Sequence, residues 1–199
     1  MIKASALKLC ILDRDGTINV DRDDYVKSAL EWEPLPGALD AIARINHAGW
    51  HVVVASNQSG LGRGLFDVAA LNAMHAKMHR MLAAVGGRVD AVFYCPHAPE
   101  EVCNCRKPAP GLFTQIAERY GVALTGMPAV GDSARDLVAA QAVGCVPHAV
   151  LTGKGAAYRD QPLPATYPAH TVVHADLAAF AEYLVAQGRF PLAPLRSTR

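Results

Sequence analysis

Short apolar runs rich in β-branched residues alternate with longer amphipathic segments along this chain. The short runs predict buried strands, and the amphipathic segments predict helices. Continuous apolar strands that alternate with helices indicate an α/β fold, with a parallel sheet covered on both faces. The predicted strands are 7–12, 51–56, 91–94, 128–131, 147–151 and 171–174. The predicted helices are 36–49, 67–85, 111–120, 134–143 and 177–186.

The length of the chain limits how these elements can be divided into domains. At 199 residues the chain can form one well-packed domain, and two domains would be cramped. We therefore expect a doubly wound parallel sheet in a single domain at 1–187, followed by a flexible tail at 188–199. About twenty residues separate Asp15 from the next predicted helix, which is too few for a large cap domain.

Polar side chains follow three of the predicted strands at the points where the strands end. Asp13 and Asp15 come directly after the first strand. Ser56 ends the second strand, and Asp132 follows the strand at 128–131. Ligands of parallel sheets bind beyond the carboxyl ends of the strands, so these residues are expected to share a site. Each motif taken alone also fits a polar turn without a catalytic role.

The types of these residues indicate phosphate chemistry. Of two carboxylates spaced two residues apart, one can act as a nucleophile and the other can transfer a proton. Their negative charge requires a cation, and carboxylate oxygens suit Mg²⁺. Ser56 offers a donor for phosphate oxygens, and Lys107 offers a point charge. Asp136 has two interpretations. It is either a further carboxylate of this site or a charge in the first turn of a helix, where the helix dipole favours it.

Three of the five cysteines lie close to a histidine in the segment 94–108, YCPHAPEEVCNCRKP. The pattern is C-x-H followed by C-x-C, and its members are Cys95, His97, Cys103 and Cys105. Three thiolates and an imidazole match a closed tetrahedral zinc site, which leaves no position for a substrate and indicates a structural role. Ligand type favours zinc over iron. Free thiols or a Cys103–Cys105 disulfide are the alternatives.

Charge and hydropathy narrow the classes of partner. A formal net charge of +1 gives no electrostatic reason to expect nucleic acid or an anionic membrane as a partner. The apolar run at the N-terminus is too short for a signal peptide, and no segment approaches the length of a membrane span. We therefore expect a cytoplasmic monomer that acts on a small molecule. The odd number of cysteines argues against a disulfide framework.

Taken together and in this order, the motifs resemble those of the haloacid dehalogenase-like phosphatase superfamily. The resemblance implies a Rossmann-like fold and a Mg²⁺-dependent hydrolase that forms an aspartyl-phosphate. It implies that Asp13 is the nucleophile and that Asp15 is the general acid and then the base. Ser56 and Lys107 would stabilise the phosphoryl group. Asp13, the backbone carbonyl of Asp15, and Asp132 would hold Mg²⁺.

Four longer stretches closely resemble the heptose-bisphosphate phosphatases: LDRDGTINVD, SNQSGLGRG, CPHAPEEVCNCRKP and VGDSARD. The resemblance covers roughly residues 9–155. It implies removal of the C7 phosphate of D-glycero-D-manno-heptose 1,7-bisphosphate, in the biosynthesis of ADP- or GDP-heptose for lipopolysaccharide. Arg106, with Arg63, would supply charge for the second phosphate. The implied substrate-binding residues are Asp21, Asn57, Gln58, Ser59, Arg63, Arg106 and Lys107.

Several other functions are alternatives to this interpretation. Histidinol-phosphate phosphatases share DRDGT, the zinc pattern and RKP, and are the nearest enzymatic alternative. A non-catalytic, zinc-clamped interaction module is the alternative from another class, although such a module has no need of crowded carboxylates. A polynucleotide phosphatase would need a basic stripe or an aromatic platform, and the sequence has neither. His75 and His79, four residues apart on a predicted helix, are interpreted as a solvated face. The TGKG segment at 152–155 lacks the spacing of a nucleotide P-loop.

Overall fold

The computed structural model describes residues 7–189 and contains the predicted parallel sheet. Its strands are β1 Leu9–Leu12, β2 His51–Asn57, β3 Ala91–Cys95, β4 Pro128–Gly131, β5 Val146–Val150 and β6 Val172–His174. Its helices are α1 Ala38–His47, α2 Ser59–Gly62, α3 Val68–Ala84, α4 Gly111–Tyr120, α5 Ala134–Gln141 and α6 Leu177–Arg189. A 3₁₀ helix covers Gly153–Tyr158.

The order of the strands places a crevice at the middle of the sheet. The six strands are parallel and lie in the order β3-β2-β1-β4-β5-β6. The chain therefore begins centrally, moves outward through β2 and β3, and returns to the other side of β1. Connections leave β1 and β4 in opposite directions, which is the switch point where doubly wound sheets bind ligands. The predicted fold class is confirmed.

The central strand is buried on both faces, as its continuous apolar sequence predicts. Cys10 and Leu12 face a layer that contains α1, α3 and α6. Leu9 and Ile11 face the opposite layer, which contains α4 and α5. Full burial of a leucine or isoleucine side chain stabilises the fold by about 1.5–3 kcal/mol. β1 is thereby fixed between two helical layers. Asp13 directly follows β1, so its position is fixed as well.

The segment between β1 and α1 lines part of the crevice. Within 16–37 the structure has turns and isolated β-bridges, and none of the described helices. The ammonium of Lys77 on α3 donates to the carbonyls of Ala29 and Trp32, at 2.8 and 2.7 Å. These bonds hold the segment against α3. The prediction that no large cap follows Asp15 agrees with this architecture.

Two short elements were missed by the sequence analysis, and one boundary differs. The helix α2 and the 3₁₀ helix are too short to show a periodic pattern, and both are rich in glycine. The last helix, predicted to end at 186, continues to Arg189. From residue 190 onward, the predicted tail lies outside the described residues. Within 7–189, every helix is too short or too polar to cross a membrane.

A pair of buried histidines joins β5 to β6 at the edge of the sheet. Nδ1 of His148 lies 3.0 Å from Nε2 of His174, and both rings pack against Phe180 and Tyr183 of α6. Burial, and then the neighbouring His174, lowers the pKa of His148 to about 4. Burial also lowers the pKa of His174. The fold therefore favours the neutral form of both rings.

Acid is expected to destabilise this edge of the sheet. His148 gains a proton near pH 4 in the fold, and near its ordinary pKa of 6.5 in the unfolded chain. The unfolded chain thus binds more protons between these values, so the stabilisation is complete above about pH 6.5 and is lost as the pH falls towards 4. The loss amounts to roughly 3 kcal/mol. Denaturant titrations at pH 7.5 and pH 5 should show about 2 kcal/mol of this loss, because pH 5 lies between the two pKa values, and His148→Leu should show less.

The matched control is His47→Gln, because His47 is exposed on α1. This variant should keep the pH dependence of the parent protein. Equal pH dependence in His148→Leu and the parent would contradict the assignment.

Candidate active site

A cavity of about 250 Å³ opens at the carboxyl ends of the central strands. The predicted site residues that line it are Asp13, Asp15, Asp21, Ser56, Asn57, Gln58, Ser59, Arg106, Lys107 and Asp132. Arg14, Asp136 and Lys154, which the sequence analysis did not assign to the site, also line it. Arg63 is absent from the lining residues, and its guanidinium pairs with Glu100 at 3.1 Å.

Lys107 lies at the bottom of the cavity between two carboxylates. Its ammonium is 2.7 Å from Oδ1 of Asp13 and 2.6 Å from Oδ1 of Asp136, and it donates to the carbonyl of Ala55 at 2.7 Å. The side chain is 2% exposed. Although burial alone lowers the pKa of Lys107, the two carboxylates raise it above its ordinary value. Lys107 is therefore a permanent cation beside Asp13.

Asn57 holds the backbone of Lys107 in place. Its side-chain amide donates to the carbonyl of Lys107, and its side-chain oxygen accepts from the amide of Lys107, both at 3.0 Å. This reciprocal pair joins the end of β2 to the segment that follows β3. Asn57, predicted as a substrate contact, thus has a clear positioning role.

The carboxylate of Asp15 accepts hydrogen bonds from three side chains. The guanidinium of Arg14 contacts both oxygens, at 2.9 and 3.0 Å. The amide of Asn19 donates to Oδ1, and that of Gln58 donates to Oδ2, both at 2.9 Å. Burial alone raises the pKa of Asp15, but these donors, Arg14 above all, lower it below its ordinary value. Gln58 also donates to Ser56 Oγ at 2.8 Å.

Three carboxylates converge on a possible cation site. Oxygens of Asp13, Asp132 and Asp136 lie within 4.8 Å of one another. Burial raises the pKa of Asp132 to about 8, and the negative charge of Asp13 adds to the effect. Burial likewise raises the pKa of Asp13 to about 7, with Lys107 acting against it. Such crowding of oxygen ligands in one cavity fits a hard divalent cation.

Asp136 is already committed to other partners. Its Oδ1 pairs with Lys107, and its Oδ2 accepts from the backbone amide and the hydroxyl of Ser133, at 3.1 and 2.5 Å. These bonds complete a capping box at the start of α5. Asp136 therefore caps α5 and orients Lys107, which leaves Asp13 and Asp132 as the better cation ligands. Asp136 therefore lines the site and also lies in the first turn of a helix, which were the two interpretations of its sequence position.

The segment after β5 contacts the catalytic turn closely. The backbone at Gly16 is left-handed, with φ of 80°, and a β-carbon there would overlap the carboxylate of Asp132. A β-carbon at Gly153 would overlap both Gly16 and that carboxylate. The hydroxyl of Thr152 donates to the carbonyl of Gly16 at 2.6 Å, and the amide of Lys154 donates to Asp132 at 2.7 Å. The TGKG segment is thus part of the site.

At the rim of the cavity, the ammonium of Lys154 pairs with the carboxylate of Asp21. The side chain of Lys154 is 53% exposed, so it can exchange partners with a ligand. Arg106 also lines the cavity, and its Nη1 is buried without a hydrogen-bond partner among the described residues. These two cations can contact anionic groups of a ligand that are remote from Asp13.

The predicted metal ligands of the cysteine segment come together. Sγ of Cys95 lies 3.4 Å from Nδ1 of His97 and 3.7 Å from Sγ of Cys103. Nδ1 of His97 lies 3.3 Å from Sγ of Cys105. A tetrahedron with metal–ligand bonds of about 2.0–2.3 Å separates its corners by roughly 3.3–3.8 Å, so the four atoms fit one ion. All five cysteines are free of disulfide bonds, which disfavours the Cys103–Cys105 alternative.

The side chain of His75 is less exposed than predicted. It is half-buried on α3, and its Nε2 lies 3.5 Å from Nη1 of Arg14. His79, one turn further along, is exposed as predicted. The four-residue spacing could not reveal this difference, because only the packing of α3 against the catalytic turn distinguishes the two positions.

The chain is similar to known proteins over most of its length. Residues 104–179 match a family model described as HAD-hydrolase-like. A Bordetella bronchiseptica protein named D-glycero-beta-D-manno-heptose-1,7-bisphosphate 7-phosphatase is 57% identical over 91% of this chain and 99% of its own length. A protein of the same name from Pseudomonas aeruginosa is 52% identical over 89% of this chain and 97% of its own length.

Solved structures give the same relationship. The crystal structure of the B. bronchiseptica D,D-heptose 1,7-bisphosphate phosphatase, complexed with magnesium and phosphate, superposes with a TM-score of 0.86. It covers 91% of this chain and 99% of that one. Identity of this extent, over nearly the whole relative and with the same fold, shows that the chain belongs to the D-glycero-D-manno-heptose-1,7-bisphosphate 7-phosphatase family of haloacid dehalogenase-like hydrolases.

Proposed function

We propose that the chain is a Mg²⁺-dependent phosphatase that removes the C7 phosphate of D-glycero-D-manno-heptose 1,7-bisphosphate. The observation that carries the proposal is the position of Asp13, beside the permanent cation Lys107 and the carboxylate of Asp132. Phosphoryl transfer depends on positioning and charge neutralisation, and this cavity provides both. The relatives named above are heptose enzymes, which favours this substrate over histidinol phosphate.

The reaction proceeds in two steps on the side chains of the cavity. A carboxylate oxygen of Asp13 attacks phosphorus, and the bond from phosphorus to the C7 oxygen breaks. Asp15 gives a proton to that departing oxygen. Asp15, now a carboxylate, takes a proton from the water that attacks the aspartyl-phosphate, which releases inorganic phosphate and restores Asp13. The donors around Asp15 lower its pKa and so favour this anionic form.

Charge on the transferred group is offset by fixed partners. The ammonium of Lys107 lies 2.7 Å from Oδ1 of Asp13. It can therefore contact the phosphoryl group while that group is transferred to Asp13. Ser56 Oγ is held by Gln58, so its hydroxyl is oriented before the substrate arrives. Mg²⁺, held by Asp13, Asp132 and the backbone carbonyl of Asp15, would supply positive charge against the phosphate and the carboxylates.

The phosphate that is not cleaved needs a second set of cations. Lys107 is occupied by Asp13 and Asp136, so it serves only the reacting phosphate. Arg106 and Lys154 line the same cavity, and we assign both to the C1 phosphate. Lys154 is expected to leave Asp21 for this phosphate, which frees the carboxylate of Asp21 for the hydroxyls of the sugar.

Zinc is the ion that we propose for the four ligands of the cysteine segment. Thiolates and imidazole at tetrahedral distances are the ligands that zinc prefers. Cys105 precedes Arg106 and Lys107 directly, and Lys107 is joined to β2 through Asn57. The ion would therefore fix the segment that carries the catalytic lysine, without taking part in the chemistry.

A phosphate-release assay tests the function and the nucleophile together. With Mg²⁺, the protein should release one phosphate from heptose 1,7-bisphosphate, far faster than from histidinol phosphate. Asp13→Asn should lose activity by a factor of about 10⁴ or more, because the amide cannot attack phosphorus. The control Asp40→Asn, on the exposed side of α1, should keep full activity. Preference for histidinol phosphate, or turnover by Asp13→Asn, would overturn the proposal.

The assignment of Lys154 predicts a change in KM that depends on the substrate. Lys154→Ala should raise KM for the bisphosphate about tenfold, which corresponds to about 1.4 kcal/mol, because one cation is lost from the second phosphate. KM for a heptose 7-phosphate, which lacks that phosphate, should stay within a factor of two. Lys154→Arg keeps the charge and is the control. Equal changes in KM for both substrates would indicate that Lys154 acts only through Asp21.

The zinc assignment predicts that metal content and activity fall together. The purified protein should contain about one zinc per chain, measured by elemental mass spectrometry. Cys103→Ser should lose the ion and at least tenfold in kcat, since the segment that carries Lys107 loses its anchor. Cys145→Ala, which changes a buried thiol outside the cluster, should keep both. Full activity of a zinc-free protein would contradict the structural role.

A further inference from the structure

Arg14 is a buried cation that the proposed mechanism does not use. It lies between the two catalytic aspartates in sequence, and it is 1% exposed. Its Nε and Nη2 atoms contact Asp15 at 3.1, 2.9 and 3.0 Å, so the guanidinium spans both oxygens of the carboxylate. A buried guanidinium in a fork-like pair is strongly restricted in orientation.

His75 on α3 contacts the far side of the same guanidinium. Its Nε2 lies 3.5 Å from Nη1 of Arg14, and its ring centre lies 6.5 Å from that of Tyr94. An arginine can only donate, so Nε2 of His75 must accept and its proton is on Nδ1. Burial, followed by the charge of Arg14, lowers the pKa of His75 to about 4, which keeps the ring in this accepting form.

The three hydrogen-bonding partners of Asp15 differ in how strongly they bind its carboxylate. Asn19 and Gln58 are neutral amides, and each contacts a single oxygen. The bonds from Arg14 are charge-assisted and bidentate, so they are the strongest of the set. When a proton occupies Oδ2 of Asp15, the contact of Nη2 with that oxygen weakens, whereas the contacts of Nε and Nη2 with Oδ1 can both remain.

We propose that Arg14 and His75 are positioning residues for Asp15, with His75 fixing the guanidinium and the guanidinium fixing the carboxyl group during proton transfer. The inference rests on the proposed function, because it assigns Asp15 as the acid that protonates the departing C7 oxygen. His75 acts through Arg14 and touches no reacting atom. α3 thereby contributes to catalysis from outside the cavity.

The test uses two substrates whose leaving groups differ in their need for a proton. The C7 alkoxide of the heptose is strongly basic and needs the acid, whereas p-nitrophenolate departs readily without one. Asp15→Asn serves as the reference, and the quantity compared throughout is kcat/KM, because it reports the step that forms the aspartyl-phosphate and not the later hydrolysis that both substrates share. Asp15→Asn should lower kcat/KM for heptose 1,7-bisphosphate at least a hundredfold, and much less for p-nitrophenyl phosphate. His75→Leu should show the same selectivity on a smaller scale, with a three- to tenfold loss on the sugar phosphate and less than twofold on the aryl ester.

Matched variants separate positioning from general damage. His75→Gln, which keeps an acceptor toward Arg14, should recover most of the activity on the sugar phosphate. His79→Leu makes the same change one turn away on the exposed side of α3 and should leave both substrates unaffected. Arg14→Lys keeps the charge but loses the fork, and it should show the same selective loss even where His75→Leu folds poorly. Thermal melting of each variant is measured alongside.

The outcomes distinguish the inference from the function on which it rests. If Asp15→Asn shows the leaving-group selectivity, and both His75→Leu and Arg14→Lys lower the two rates equally or not at all, the positioning role is wrong and the proposed function stands. If Asp15→Asn itself shows no selectivity, Asp15 is not the acid, and the inference fails together with that one step of the mechanism. The proposed function fails only if the parent protein does not prefer heptose 1,7-bisphosphate in the phosphate-release assay. Selective loss in His75→Leu, restored in His75→Gln, supports the inference.

Discussion

The buried ion pairs of Lys107 are the interaction on which the rest of the site depends. An ammonium that is nearly inaccessible to water can stay charged only with close anionic partners, and here Asp13 and Asp136 provide them. Each partner belongs to a different part of the chain: Asp13 follows β1, and Asp136 lies in the first turn of α5, after β4. The lysine itself follows β3 and the cysteine cluster. One cation thus holds together three segments that are distant in sequence.

Several site residues hold other groups of the site in position, and the proposed mechanism assigns them no direct contact with the substrate. Asn57 fixes the backbone of Lys107, Gln58 joins Ser56 to Asp15, and Asp136 caps α5. Each of them makes side-chain hydrogen bonds to other groups of the protein. The charges at the bottom of the cavity are therefore oriented before a substrate enters, so little reorganisation is required during reaction.

Most of the fold followed from hydrophobic periodicity, because buried parallel strands and amphipathic helices leave clear patterns. The strand-end residues Asp13, Ser56 and Asp132 could be placed together because parallel strands end at one edge of a sheet. Arg14 and His75 could not be predicted, since their roles depend on how α3 packs against the catalytic turn. Lys154 was missed for a related reason: its segment is too short for periodicity, and its pairing with Asp21 joins residues far apart in sequence.

The close approach of Gly16 and Gly153 limits which residues of this cavity can change. Neither position accepts even a methyl group, so the crossing of the two backbones is fixed wherever this arrangement of Asp132 is kept. Changes in ligand preference are then expected in other residues that line the cavity, such as the stretch around Asp21 and Tyr25. A designer of altered specificity would randomise that stretch and leave the two glycines unchanged.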